Sequence, residues 1–456
     1  MVSNAYPYRR RGRGSTTTLV PFRRTLAALA GEPLAALAAL AGQGDAAALV
    51  RLDLGLFRPY LVARPEHVQH VLVSHADNYL RGEMLWKPVR LLIGGGLGNE
   101  GSAHAASRSR IQPLLAARNV DALIDLMAAT TVETVDELAA SGQSLDATMA
   151  MTRIMHRTLV RAFFADRIGA AEAAALGEAI SVAFTSLGAR LLLPFVPGGV
   201  PLPGERAFRR AVRRVDAIVY PLIRRCRRES VPGNDLVSLL CHARDARGVG
   251  LDDRQVRDDL VAVFVAGSET AAVALTWLWV VLDGHPDIAA ALTGEVHRVV
   301  GTGRPAAVHL RELRYTRMVL QELLRLYPPG WLIPRTAQAA DVIDGVPIDA
   351  GATVLLSPYL THRLPYLWPR PDDFDPHRFE PEQVRARPRF AYFPFGGGTH
   401  QCLGSHFFTV QAQLIVVSLL RGYRISRPSG EPVQPRASVT LRPCQPVRIE
   451  LRPCAA

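Results

Sequence analysis

Apolar residues at helical spacing dominate the middle of this chain, and short alternating runs flank them. Residues 105–326 carry helical periodicity, broken by proline-rich stretches at 193–204 and 230–234. Within that region, residues 260–282 predict one long apolar helix. Another is predicted after Cys402, where Leu403, Phe407, Val410, Leu414 and Val417 form a stripe without a proline. The alternation in 50–56 and 60–63 predicts a hairpin of strands, and 438–451 a last hairpin. Residues 359–395 are rich in proline and aromatics with little periodicity, which predicts a long ordered loop. The pattern predicts a mainly α fold with small β-sheets, in a single domain over 21–456 after a loose basic tail at 1–20.

Composition narrows this picture. The chain has 456 residues, 48% of them apolar, enough for a substantial core. Its five cysteines, Cys226, Cys241, Cys402, Cys444 and Cys454, are scattered with no C-x-x-C pair, so neither a disulfide framework nor a zinc site is indicated. The net charge is +12, and Lys87 is the only lysine. No nucleic-acid motif accompanies the arginines, so the charge by itself does not point to nucleic acid. The apolar stretch 25–42 is broken by Glu32 and Pro33 and is too short to span a membrane. The basic start lacks the core and cleavage site of a secretory signal, so a cytoplasmic protein is expected.

The most specific chemistry lies in Phe393-Pro-Phe-Gly-Gly-Gly-Thr-His-Gln-Cys-Leu-Gly404. Cys402 follows a glycine-rich loop and precedes an apolar helix, where free backbone N–H groups and the helix dipole favour a thiolate. Gly396, Gly397, Gly398 and Gly404 would let the backbone pass close to something bulky and flat. Phe395, Gly398, His400, Cys402 and Gly404 match, residue by residue, the haem-binding loop of the cytochrome P450 family, which this chain resembles over residues 20–456.

The resemblance implies a triangular helical prism with haem between an oxygen-activating helix and the cysteine-ligand helix. It makes Cys402 the axial ligand of the iron of haem b, with Phe395, Gly396 and Gly404 in the cofactor loop. Ala266-Gly267-Ser268-Glu269-Thr270 resembles the family's A-G-x-[DE]-T motif. There Gly267 would admit dioxygen, Thr270 would hydrogen-bond it and Glu269 would relay protons. His104 and Arg108 resemble an H-x-x-x-R pair that holds haem propionates, with Arg335 and His400 as further partners. Glu322 and Arg325, three apart on one helix face, would read alone as a solvated ion pair. In the family's E-x-x-R helix the pair is buried and bonds an arginine, here Arg378, to hold the thiolate side of the haem.

A haem-thiolate monooxygenase is therefore expected, inserting one atom of O2 into a hydrophobic small molecule. Electrons would come from NAD(P)H through a separate ferredoxin and its reductase, and the protein would be a monomer without nucleic acid or membrane span. The substrate segments would contribute Leu85, Trp86, Leu91, Phe184, Leu187, Val263, Trp331, Leu332 and Ile333, each of which would serve equally well as core. As a group they favour a terpene-like substrate of secondary metabolism. A fatty acid, met by Arg81 or Arg90, or a macrolide is the alternative. In another class, a non-oxygenase haem sensor is the rival, and the complete Ala266–Thr270 motif counts against it.

Overall fold

The computed structural model describes residues 18–23, 33–42, 49–55, 57–142, 144–188, 190, 196, 200–229, 231, 233, 235–244 and 248–454. The tail at 1–17 lies outside them, and so do residues 189 and 191–194 of the expected substrate segment 181–194. The fold is mainly helical with small sheets. Its centre is the helix Asp253–Gly284, here the core helix. The helix begins at a reciprocal cap: Asp252 accepts from Gln255 N at 2.8 Å, and Gln255 accepts from Asp252 N at 3.0 Å. From Val256 to Leu282 every residue is buried except Ala266, Gly267, Thr270 and Val280. An all-round apolar helix can be stable only inside a core. Ala147–Phe164, Ala170–Ser186, Glu205–Arg227 and the helix Glu83–Ile93 pack around it.

The predicted stripe after Cys402 lies on the helix Ser405–Leu420, here the cysteine helix. Phe407, Val410, Leu414 and Val417 are buried as expected, but so is every residue from Val410 to Leu420. The helix is enclosed on all sides, packed against the core helix and against Ile124–Ala140.

A six-stranded sheet flanks the helices in the order Thr18–Val20, Val50–Leu52, Tyr60–Val62, Thr353–Leu356, Ile333–Ala337, Tyr79–Leu80. The hairpin expected from 50–63 is present, with Val50 opposite Leu61 and Arg51 opposite Tyr60. Thr18–Val20 pairs in parallel with Val50–Leu52, so those residues belong to the folded body rather than to a tail. The hairpin expected across 438–451 does not form. Leu441–Pro443 pairs instead with Pro435–Ala437, whereas Arg448–Pro453 pairs with Tyr423–Ser426 and Leu145–Asp146. Alternation identifies a strand but carries no information about which strand will pair with it.

The segment 359–395 is not a plain loop but carries the short helices Pro358–Thr361, Pro376–Phe379 and Pro381–Ala386, and aromatic packing orders it. His362 stacks on Tyr392 at 5.1 Å, Phe379 meets Tyr392 edge-on at 4.9 Å, and Arg387 lies 4.0 Å over the ring of Trp368.

Candidate functional site

The Cys402 loop is closed by two backbone bonds, Cys402 N to Phe395 O at 2.9 Å and Gln401 N to Gly398 O at 3.1 Å. Phe395 meets Phe408 edge-on at 5.9 Å, tying the loop to the first turn of the cysteine helix. Gly398 has φ +67°, and a Cβ there would lie 1.8 Å from the carbonyl oxygen of Leu72. The glycine thus serves a close approach of two backbone segments, not only an approach to a flat ligand. Gly396 sits beside Ile333, whose Cδ1 lies 3.9 Å from where a Cβ would be, and Gly404 caps the cysteine helix.

Cys402 is exposed. Desolvation by the surrounding loop pushes its thiol upward, while the Gly404 N–H and the Arg108 guanidinium oppose the shift. A bound metal ion supplies the positive charge that ionises such a ligand.

Around this loop lies a cluster of cations. Arg108 donates to the Gln401 carbonyl at 2.8 Å. His104 is buried, with its ring 4.2 Å from that of His400. Burial, helped by the nearby His400 and Arg81, brings His104 down to about 4. Arg335 is 5% exposed and donates to the Pro334 carbonyl at 2.8 Å, with no ion pair among the described residues.

Sequence reasoning missed two members. Glu100 accepts from Arg81 Nε at 2.7 Å and pairs with His400 Nε2 at 2.9 Å. Burial opposes ionisation of Glu100, but the bonds from His400 and Arg81 prevail and bring it down to about 2. Arg81 also donates to the Asn99 carbonyl and lies 4.5 Å over the Trp86 ring. It is therefore engaged within this cluster and not held out as a cation at the mouth of a pocket. Arg81 and Glu100 are 19 residues apart, Glu100 and His400 300 apart, so no local spacing announces the trio.

These residues fit haem. Glu100 is paired with Arg81 and His400 and acts on the buried Arg335, Arg108 stands by the Cys402 loop, and the buried His400 Nδ1 has no partner among the described residues. A buried cation without a counter-ion is costly, and a group bearing two carboxylates corrects that imbalance. The second fitting surface is on the core helix, where Ala266, Gly267 and Thr270 interrupt an otherwise buried run. Thr270 Oγ1 donates to the Ala266 carbonyl at 2.8 Å. Gly267 also serves packing, because a Cβ there would lie 3.1 Å from Leu159 Cδ2. Glu269, next to Thr270 in the chain, is buried and paired with Arg442.

Glu322 and Arg325 are both fully buried, against what three-residue spacing alone suggests. Arg325 donates to both carboxylate oxygens of Glu322, at 2.7 and 2.8 Å, and to the carbonyls of His362, Pro371 and Asp373. Arg378 completes the set, with Nε 3.4 Å from Glu322 Oε1. His362 links this pair to the cysteine loop. Its Nδ1 faces the Arg325 carbonyl at 3.2 Å and its Nε2 accepts from Phe393 N at 2.9 Å, which fixes the proton on Nδ1. Nothing around His362 in the sequence marks this role.

Burial, with Arg325 nearby, holds His362 well below the usual histidine range, so it is neutral in the fold. The unfolded chain takes up a proton there below about pH 6.5. Stability is therefore expected to decline as pH falls below that point, by up to about 1.4 kcal/mol per pH unit from this group. Denaturant midpoints across pH 5–7.5 should show a shallower slope in H362Q than in the parent.

Of the expected substrate residues, Phe184, Leu187 and Val263 are buried in the main core. Leu91 is 53% exposed. Trp86 is partly buried beneath Arg81, and Leu85 is on the helix Glu83–Ile93 with its side chain outside the described residues. Trp331 and Leu332 pack in a separate cluster, and Trp331 donates to the Ser438 carbonyl at 2.8 Å. Ile333 begins the strand that carries Arg335.

The chain matches the family model "Cytochrome P450" over residues 46–451. It is 32% identical over 432 residues to the cyclooctat-9-en-7-ol 5-monooxygenase of Streptomyces melanosporofaciens, covering 93% of this chain and 92% of that one. It is 30% identical to the cyclooctatin synthase of the same organism, covering 91% and 90%, and 28% identical to the pentalenene oxygenase of Streptomyces avermitilis, covering 92% of each. Among solved structures, the heme domain of a cytochrome P450DA shares the fold, with a TM-score of 0.83 at 23% identity over 96% of this chain and 97% of that one. A match spanning nearly the whole sequence, around a cysteine loop and a cation cluster suited to haem, shows that this chain belongs to the cytochrome P450 family of haem-dependent monooxygenases.

Proposed function

We propose that this monooxygenase hydroxylates a cyclic, terpene-like hydrocarbon, with haem b held by Cys402 on one face and the Ala266–Thr270 strip on the other. The observation that carries the site is the break in burial at Ala266, Gly267 and Thr270, in a helix otherwise sealed for seven turns' length by core packing. Haem, when bound, supplies the oxygen activation and insertion chemistry. In this reading His104, Arg108, Arg335 and His400 hold its carboxylates. Thr270 turns its hydroxyl from the Ala266 carbonyl toward the oxygen, and Glu269 brings protons from solvent. Arg378, Glu322 and Arg325 hold the loop behind Cys402.

The terpene assignment is supported by relatives named for oxidising pentalenene and cyclooctat-9-en-7-ol, together with an apolar set of segment residues. The engagement of Arg81 by Glu100 counts against a fatty acid held there. Electrons are assigned to a ferredoxin and its reductase, supplied by NAD(P)H, and the net charge of +12 suits an acidic donor. A cytoplasmic monomer is part of the same reading. The one described helix long and apolar enough to cross a membrane, Asp253–Gly284, is mostly buried in the core, which counts against its crossing one.

Titration of the ferric protein with cyclic terpenes, fatty acids and macrolides, followed at the Soret band, tests the substrate class. A low- to high-spin shift with cyclic terpenes is expected. A shift with fatty acids or macrolides alone would overturn the substrate reading and leave the family untouched. T270A should lower product formed per NADPH by about tenfold, equivalent to about 1.4 kcal/mol, the worth of one hydrogen bond. Hydrogen peroxide should rise correspondingly, and unchanged coupling would remove Thr270 from oxygen activation.

A further inference from the structure

The Ala266–Thr270 segment contains an ion pair that its own sequence does not contain. Glu269 is 8% exposed in its side chain, and its partner Arg442 comes from the strand Leu441–Pro443, 173 residues later. That strand is fastened to the core helix at a second point, where Trp277 Nε1 donates to the Leu441 carbonyl at 2.8 Å. Leu441 N donates to the Pro329 carbonyl at 3.2 Å, and Arg442 Nε to Thr440 Oγ1 at 3.1 Å. The guanidinium is therefore delivered from a rigid hairpin. Its side chain is 21% exposed, against 8% for the acid, so the pair runs from near the surface inward to the residue beside Thr270.

Two opposing effects act on Glu269. Burial is the larger and pushes the acid above the usual carboxylate range, while Arg442 opposes it and favours the carboxylate. Arg442 is the one charged group that acts on it among the described residues. A buried carboxyl that has lost its cation stays protonated and is then unable to take up a further proton from water.

We propose that Arg442 is a positioning residue for proton delivery: it keeps Glu269 ionised and oriented between the solvent-facing hairpin and Thr270, ready to accept a proton and pass it inward. This rests on the reading of Glu269 as the proton-delivering acid. It predicts that the hairpin Pro435–Pro443, which touches neither Cys402 nor Thr270 in sequence, controls how efficiently electrons become product.

The test compares R442Q, R442M, R442K and E269Q as purified haem-loaded proteins. Infrared difference spectra should reveal the carbonyl stretch of a protonated carboxylic acid in R442Q and R442M. The band should be missing from the parent, from R442K and from the double variant R442Q/E269Q. With whichever panel ligand gives the largest high-spin shift, product per NADPH should fall about tenfold in R442Q, matching about 1.4 kcal/mol of barrier, while R442K restores most of it. No acid band in either neutral variant together with parental coupling would overturn the role of Arg442. Parental coupling in E269Q would instead overturn Glu269 as the acid, so the two failures are distinguishable. If R442Q does not fold, R442M, which keeps an unbranched side chain, carries the same comparison.

Discussion

Replacing Cys402 by serine is expected to abolish the thiolate signature of the reduced carbonyl complex and to bring hydroxylation below detection, with the fold retained. Cys402 is exposed, and the loop that presents it is closed by its own backbone through Phe395 and Gly398. Serine preserves that loop, because the bond to the Phe395 carbonyl uses the main chain of residue 402. What is lost is a soft, ionisable sulfur, whose electron donation favours O–O cleavage at haem iron. An alcohol ionises far less readily and cannot replace it. The other cysteines are poor substitutes. Cys226 and Cys241 are buried between Glu205–Arg227 and Leu236–His242, and burial beside Cys226 pushes Cys241 up to about 12. Cys444 and Cys454 are exposed and lie beyond the glycine-rich loop and its helix, near the C-terminus. The absorption spectrum of the reduced, carbon monoxide-treated protein decides the matter. Retention of the thiolate spectrum in C402S would place the ligand elsewhere.

The second large effect concerns Arg325. R325A should destabilise the protein by about 3–5 kcal/mol, the usual consequence of leaving one partner of a buried pair uncompensated. Glu322 would retain the Asp375 N–H at 2.9 Å and the more distant Arg378, but lose two short bonds. Three carbonyls, those of His362, Pro371 and Asp373, would lose their donor at the same time. Because His362 bonds both the Arg325 carbonyl and Phe393 N, the disturbance reaches the start of the cysteine loop, and haem retention should fall with stability. R325K should be intermediate, since an ammonium keeps the charge but cannot donate the two parallel hydrogen bonds that a planar guanidinium gives a carboxylate. Denaturant midpoints and the haem-to-protein absorbance ratio after gel filtration measure both effects. Parental values in R325A would show that the pair is dispensable.

These two sites differ in how they were legible. The Cys402 loop is a local object: a glycine turn, a cysteine and a helix start lie within a dozen residues, and backbone chemistry at that range is written in neighbouring positions. The same holds for the core helix, whose start depends on Asp252 and Gln255 and whose apolar run has to be buried. The ion pair was legible as a spacing, yet its burial was not, since exposure depends on what else packs there.

Tertiary structure alone decided the remaining features, because each joins groups far apart in the chain. Glu100 meets Arg81 and His400 only when the sheet edge, the helix Gly101–Ile111 and the cysteine loop converge. Gly398 is required by the carbonyl of Leu72, and Glu269 is paired by a strand near the C-terminus. The alternating residues of 438–451 announced strands but not that they would join different sheets. Periodicity, caps and motif spacing arise from interactions a few residues long, and the sequence by itself determines them. Charge burial, ion-pair partners and strand order depend on which distant surfaces meet, and the closing of the core determines those.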